Sequence, residues 1–343
     1  MSALSIYKDY SLLGHNTFGM DVMADYFVEY NSIEDLETVR QMRLEGALPD
    51  KYLFVGEGSN LLFTQDFRGV VLHSAIKTFE ILSEDNFSVR VRVGSGWNWD
   101  SFVSECVDRG WWGLENLSYI PGQVGSCAVQ NIGAYGVEAK DLIELVEVFD
   151  FEQGIYLQLS KDECKYGYRD SIFKSEAFRK YAVTAVVFAL RKLPSPNFSY
   201  KQLAEAFEGE TAPKLSRIRD AVINIRKGKL PEPSEIGSAG SFFKNPVVPI
   251  GKFEELQKKY PSIPYYRVEG NGSCMKLSAG WLIEQCGWKG RSVGRAGVYH
   301  KQALVIVNLG GAIPSEVLSL VEKVISSVAD KFGIELSPEV IIL

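Results

Sequence analysis

Pro121-Gly122-Gln123-Val124-Gly125-Ser126-Cys127-Ala128-Val129-Gln130-Asn131-Ile132-Gly133-Ala134-Tyr135-Gly136 is the stretch on which the reading of this chain turns. Glycines let a backbone come close to a ligand, and successive N–H groups in such turns make a concave anion site. Ser126, Gln130 and Asn131 add neutral hydrogen-bonding groups. That combination suits a pyrophosphate together with the polar edge of a ring. The plainer alternative is a surface loop or lid with no ligand. A long structureless loop inside a compact domain usually has a functional reason, which favours the ligand. From Leu117 to Gly136 the chain carries too little apolar material for a core element, so an irregular segment is expected.

Mixed α and β signals surround it. Tyr26–Tyr30 and Tyr52–Val55 read as strands around a helix that opens at Ser32, with Asp35 in its first turn. Ile33, Leu36, Val39 and Met42 form that helix's apolar stripe, which completes a small βαβ unit. Val70-Val71-Leu72 and the alternating Val89–Val93 continue the sheet, as do Leu145–Phe149 and Ala182–Phe188 further on. A helix is expected over Asp100–Asp108, with Phe102, Val103, Cys106 and Val107 facing inward and Gly110 as its stop. Prolines at 194, 196, 231, 233 and 246 punctuate the chain and place a domain boundary near Lys229. The clearest helix spans Glu316–Phe332 and ends at Gly333. The strand-like piece Glu335–Leu343 then has to return to some sheet.

With 343 residues, 46% of them hydrophobic, the chain can fill two or three domain cores. Its 37 basic and 43 acidic residues give a net charge of -6, which argues against nucleic acid or an anionic membrane as a partner. The start lacks a signal-like segment, and no apolar run reaches bilayer length. Cys106, Cys127, Cys164, Cys274 and Cys286 are odd in number and widely spaced, which fits free thiols in a reducing cytoplasm. With only 3 histidines, no metal site is expected.

Two other glycine turns follow strands, Gly56-Glu57-Gly58 and Gly94-Ser95-Gly96. A dinucleotide fingerprint needs a third Gly or Ala, but the chain has Leu61 and Trp99 at those positions. Neither turn closes in Gly-Lys-Ser/Thr. A simple Rossmann or P-loop protein is thereby disfavoured.

Taken together, Asn16-Thr17-Phe18-Gly19, Gly56-Glu57-Gly58-Ser59-Asn60 and the 121–136 stretch resemble the UDP-N-acetylenolpyruvoylglucosamine reductase family. So do Tyr166–Lys174, Gly240-Ser241-Phe242-Phe243-Lys244-Asn245-Pro246 and Pro338-Glu339-Val340, in the family's order and across nearly the whole chain. The resemblance implies an α+β fold of the vanillyl-alcohol-oxidase/p-cresol-methylhydroxylase type, with a separate C-terminal substrate-binding α+β domain. Residues 1–75, completed by 333–343, and residues 76–228 would make two FAD-binding subdomains, with 229–332 binding substrate.

It further implies NADPH as hydride donor, non-covalent FAD, and reduction of UDP-N-acetylglucosamine enolpyruvate in peptidoglycan synthesis. A monomeric bacterial cytoplasmic enzyme is expected. FAD contacts would come from Gly56, Gly58, Ser59, Asn60, Pro121, Gly122, Gly125, Ser126, Asn131, Gly133, Tyr135 and Gly136. Arg226 either faces the flavin or lies exposed on a basic turn. Substrate would meet Tyr168, Lys229, Asn245 and Gln302, with Tyr200 on its diphosphate and in a loop that marks one branch of the family.

Hydride addition to the enolpyruvyl alkene drives charge into the neighbouring carboxylate, so the reaction needs a cation there and a proton donor. The resemblance assigns these roles to Arg169 and Ser241. Glu339 would either donate a hydrogen bond as the neutral acid or orient Arg169 and water. The residues alone would allow an Arg169–Asp170 ion pair, a Ser241 turn cap and a solvated Glu339. Two further readings remain beside the reductase: another flavin oxidoreductase of the same fold, or a silent UDP-sugar or flavin binder.

Overall fold

The computed structural model describes residues 4–268 and 271–343, which form two compact units. One comprises Met1–Ser11, Met23–Glu57 and Phe67–Arg226; the other comprises Leu12–Val22, Gly58–Asp66 and Lys227–Leu343.

The first unit holds two sheets. In the smaller, Ser5–Ser11 runs antiparallel to Met23–Tyr30, and Phe67–Ser74 lies parallel between Met23–Tyr30 and Tyr52–Val55. The expected βαβ unit therefore has a later strand inserted between its two strands. Its helix, Ile33–Leu44, starts where Ser32 accepts from the Asp35 N–H at 3.1 Å, and it buries Leu36 and Val39 against Val28, Val70 and Leu72.

The larger sheet is wholly antiparallel. Its order runs Ile155–Ser160, Ile143–Asp150, Tyr181–Arg191, Ser88–Gly94, Phe79–Glu84. Alternation decides its faces: Val89, Val91 and Val93 are buried, while Arg90 and Arg92 turn outward to Glu144 and Glu147. Helix Trp99–Asp108 covers the apolar face with Trp99, Phe102, Val103 and Cys106. Each such fully buried aromatic or aliphatic side chain contributes roughly 1.5–3 kcal/mol. A helical layer, Lys201–Ala206 with Leu215–Lys229, closes over Val107 and Trp112 through Leu203, Phe207, Ile218 and Val222.

One expectation is corrected here. The stretch expected to be irregular contains the helix Val124–Gln130, whose Val124, Cys127 and Ala128 are completely buried. Small residues are what permit this. A Cβ on Gly125 would lie 2.8 Å from Ser95 Cβ, so only glycine brings the helix that close to the sheet.

The second unit has an antiparallel sheet, ordered Gly237–Ser241, Val305–Asn308, Ala296–Val298, Ser292–Val293. A second sheet pairs Val247–Pro249 and Tyr265–Val268 with Asn271–Leu277. Helix Pro314–Phe332 buries Val317, Leu320, Val321, Val324 and Val328, and stops at Gly333 with φ +63°. The terminal strand Ile341–Ile342 returns to pair in parallel with Leu61–Leu62.

Candidate active site

The glycine-rich segment is built around a left-handed corner. Helix Val124–Gln130 ends at Asn131, with φ +45° and ψ +60°, and a short hairpin then pairs Gly133–Ala134 with Val137–Glu138. Tyr135 and Gly136 turn that hairpin at φ +49° and +84°. Upstream, Glu57 fastens the segment: it accepts from the Gly122 N–H at 2.9 Å and from Asn98 at 2.8 Å. Gly56 passes so close that a Cβ there would fall 2.3 Å from Ser126 Oγ. Gln123 crosses beneath, donating to the Ser74 carbonyl at 3.0 Å.

Several expected flavin residues have structural duties in this arrangement. Asn131 donates to Glu138 at 3.0 Å and to the Gly167 carbonyl at 2.8 Å, and its Oδ1 accepts from the Lys140 N–H at 3.0 Å. Both amide hydrogens are thus used within the protein. Gly58 belongs to the second unit, where a Cβ would meet the His15 carbonyl oxygen at 2.1 Å. Asn60 donates to the Glu339 carbonyl at 3.2 Å. Gly94 and Gly96, the failed fingerprint, press on the backbone of residues 74–78.

Arg169 occupies the corner of a tight turn. Gly167 and Asp170 exchange backbone hydrogen bonds at 3.0 and 3.2 Å, and Arg169 itself sits at φ +53°. A left-handed conformation is uncommon for a long side chain and marks strain held by its surroundings. Its guanidinium reaches back to the glycine segment, donating to the carbonyls of Gly133 and Asn131, and lies 5.5 Å from the Tyr168 ring centre. Lys174 holds the Arg169 carbonyl at 2.8 Å.

A second arginine joins it. Arg226, on the helix Leu215–Lys229, donates to the Tyr119 carbonyl at 2.9 Å and bonds Tyr135. Burial lowers its affinity for the proton; Tyr135 and Asp100 counter this, and the positive Arg169 adds to the lowering. A guanidinium remains charged through such a shift. Arg226 is thus part-buried between Tyr119 and Tyr135 rather than exposed on a basic turn. Tyr135 is pushed above the usual phenol range by burial, with Arg226 opposing and Tyr200 reinforcing. Tyr200 meets it edge to face, ring centres 4.9 Å apart. The loop carrying Tyr200 is fixed by Asn197, which donates to the Gly136 carbonyl at 3.0 Å.

In the second unit, Ser241 ends strand Gly237–Ser241 opposite Val305, directly after an irregularity whose hinge is Gly240 at φ +68°. A bulge of this kind re-aims the side chain that follows it. Beyond it the chain pairs with the C-terminal segment: the Glu339 N–H donates to the Phe242 carbonyl and the Phe242 N–H to that of Leu304, each at 2.8 Å. Glu339 therefore lies across from the residue next to Ser241. Gln302 lies three residues before the neighbouring strand Val305–Asn308, with its Oε1 receiving the Leu304 N–H at 3.3 Å. Asn245 caps helix Ala279–Gln285 by accepting from the Ala279 N–H at 2.9 Å. The same unit explains the Asn16-Thr17-Phe18-Gly19 motif. Thr17 exchanges two bonds with Ser238, at 2.6 and 2.9 Å, and so pins the Ser241 strand. Lys229 ends the helix Leu215–Lys229 and is half-buried.

Thus Arg169, Tyr168, Arg226, Tyr135 and Tyr200 gather in one unit, and Ser241, Glu339, Gln302 and Asn245 in the other. Glu57, Tyr119, Gln123 and Glu138 were missed from sequence. Glu57 could have been found, because an acidic residue between two glycines has few partners except backbone N–H groups. Gln123 and Glu138 carry no such signal, because their partners are set by tertiary folding. Among the described residues no cluster of three or more His, Cys, Asp or Glu could hold a metal ion, and no helix is long and apolar enough to cross a membrane.

The residues fit a polar, ring-bearing cofactor. Gly56 and Gly125 let the backbone of the segment pack tightly against Ser126 and Ser95, and buried Gln130 Oε1 meets no hydrogen-bond donor among the described residues. This chain is a flavoprotein by construction: residues 24–160 match the FAD binding domain family. Residues 232–343 match the C-terminal domain of UDP-N-acetylenolpyruvoylglucosamine reductase. The reductase of Bacteroides fragilis is 48% identical over 97% of this chain and 98% of its own length. That of Porphyromonas gingivalis is 48% identical over 98% and 99%. The crystal structure of the reductase from Thermus caldophilus superposes with a TM-score of 0.68 at 26% identity, covering 99% of this chain and 98% of that one. The chain belongs to the UDP-N-acetylenolpyruvoylglucosamine reductase family, and its fold is the expected α+β one with an FAD-binding domain and a separate C-terminal domain.

Proposed function

We propose that this chain catalyses the NADPH-dependent reduction of UDP-N-acetylglucosamine enolpyruvate to UDP-N-acetylmuramate, a step in peptidoglycan precursor synthesis. The observation that carries the reading is identity to reductases at 48% over 97% of the chain, joined to an FAD-binding domain. FAD, bound without a covalent link, supplies the two-electron chemistry.

The protein's own part is electrostatic and acid–base. Reduction places a hydride on the terminal carbon of the enolpyruvyl group and a proton on the carbon beside the carboxylate. Arg169 forks onto that carboxylate and stabilises the negative charge that builds there. Ser241 gives its hydroxyl proton to the adjacent carbon. A hydroxyl is a weak acid, so the transfer works because the electron-rich substrate carbon is strongly basic. The serine alkoxide is reprotonated from solvent, and Glu339, bonded through its N–H to the residue after Ser241, either donates a hydrogen bond as the neutral acid or orients Arg169 and water.

Tyr168, Lys229, Asn245 and Gln302 bind substrate, and Tyr200 meets its diphosphate. Gly56, Gly58, Ser59, Asn60, Pro121, Gly122, Gly125, Ser126, Gly133, Tyr135, Gly136 and Arg226 serve the flavin. The chain acts as a cytoplasmic monomer, with subdomains at 1–75 plus 333–343, 76–228 and 229–332.

The test is a visible spectrum of the purified protein under anaerobic conditions. The reading expects a yellow protein that NADPH bleaches and the enolpyruvyl sugar nucleotide restores, with one UDP-N-acetylmuramate formed per flavin reoxidised. A colourless protein that takes up no flavin contradicts it. So does reoxidation by oxygen alone, with peroxide formed and the sugar nucleotide untouched.

A further inference from the structure

Asn131 is completely buried, and both donors of its side chain are used within the protein. Its two amide hydrogens go to Glu138 Oε2 at 3.0 Å and to the Gly167 carbonyl at 2.8 Å; its Oδ1 takes the Lys140 N–H at 3.0 Å. Gly167 is the first residue of the turn that carries Arg169. The Asn131 main-chain carbonyl, turned by the left-handed backbone, faces the Arg169 guanidinium at 3.5 Å, and the Gly133 carbonyl accepts from the same group. A Cβ on Gly133 would come within 2.6 Å of Arg169 Nη1, so the guanidinium lies close against this backbone.

We infer that Asn131 is a positioning residue for the reaction: its side chain holds the base of the Arg169 turn while its backbone holds the guanidinium. This rests on the reductase reading for its consequence, though not for its geometry. Asparagine is the residue that meets both demands. It tolerates the left-handed region better than other side chains and carries two donors. Glu138, paired with Lys140 at 3.0 Å, fixes the amide's orientation from the other side. Arg169 is thereby kept in its strained conformation, with its charge aimed rather than free to swing.

Asn131→Gly separates the two roles, because glycine keeps the left-handed backbone and removes the amide. Hydrogen–deuterium exchange on the flavin-loaded protein should show the peptide spanning 165–174 exchanging about tenfold faster, the worth of one lost hydrogen bond. The peptide spanning 52–62 should be unchanged. Rapid-reaction kinetics should show flavin reduction by NADPH within about twofold of wild type and reoxidation by substrate slowed by about tenfold or more. In an Arg169→Lys background the same substitution should add little, since it acts through Arg169. Unchanged exchange at 165–174 overturns the inference irrespective of the reaction catalysed, as does loss of flavin from the variant. An effect that adds in full to that of Arg169→Lys also overturns it. Faster exchange in a protein that does not reduce the sugar nucleotide overturns the catalytic consequence together with the reductase reading.

Discussion

Glycine 133 illustrates how a single missing side chain can matter to chemistry. A methyl group there would stand 2.6 Å from Arg169 Nη1, 2.9 Å from Glu138 Cγ and 3.1 Å from the Val137 carbonyl. The first two neighbours are side chains that can move, so Gly133→Ala should cost only about 1–2 kcal/mol of stability. The guanidinium, however, must leave its carbonyl seat. Turnover should fall by about 10²-fold with flavin content retained, measured as kcat alongside the flavin-to-protein absorbance ratio. A variant that loses flavin but keeps full turnover per bound flavin would show that Gly133 serves the cofactor alone and not the seat of Arg169. Gly58 is a contrasting case at the same scale. Its φ of +63° and the His15 carbonyl oxygen 2.1 Å from a built Cβ make it a backbone requirement of the second unit.

Among elements, the helix Val124–Gln130 carries the most information. It packs where Gly125 approaches Ser95, and a valine there would drive branched carbons into the sheet backbone. Gly125→Val should therefore lower stability by about 1–3 kcal/mol and reduce flavin retention, read by thermal melting with and without added FAD. Unaltered melting would mean that the helix can shift outward freely. This same helix separates what was legible in the sequence from what was not. Periodic elements with caps were readable: Ser32 does open a helix, Tyr52–Val55 is a strand, and Gly333 does end the last helix. Val124–Gln130 was hidden because its buried face is made of Gly, Cys and Ala, which read as loop composition. The insertion of Phe67–Ser74 between two earlier strands was also hidden, since parallel neighbours are chosen by tertiary packing. For the candidate site, motif residues such as Arg169 and Ser241 stood out only through resemblance. The turn at φ +53° and the bulge at Gly240 that aim them leave no mark in composition.

At the level of the whole molecule, long-range polar ties hold each unit together, and one of them reports on pH. Asp100 is raised by burial, but Arg219, forked onto it at 2.7 and 2.8 Å, and the Tyr119 N–H at 2.5 Å outweigh that effect and hold it below the usual carboxylate range. Its folded pKa is thus depressed. The stability it contributes is present above the unfolded value of about 3.9 and is lost as pH falls through the folded value. Melting temperature should drop on acidification below about pH 4, and Asp100→Asn should melt lower at neutral pH with a shallower acid dependence. An acid profile identical in both proteins would remove Asp100 from that account. The central claim, that Ser241 delivers the proton that completes reduction of the enolpyruvyl group, is tested most directly by anaerobic stopped-flow on Ser241→Ala. Bleaching of the flavin by NADPH should proceed at the wild-type rate, and recovery of the yellow colour on adding sugar nucleotide should slow by about 10²–10⁴-fold. Equal slowing of both half-reactions, or recovery at the wild-type rate, would contradict it.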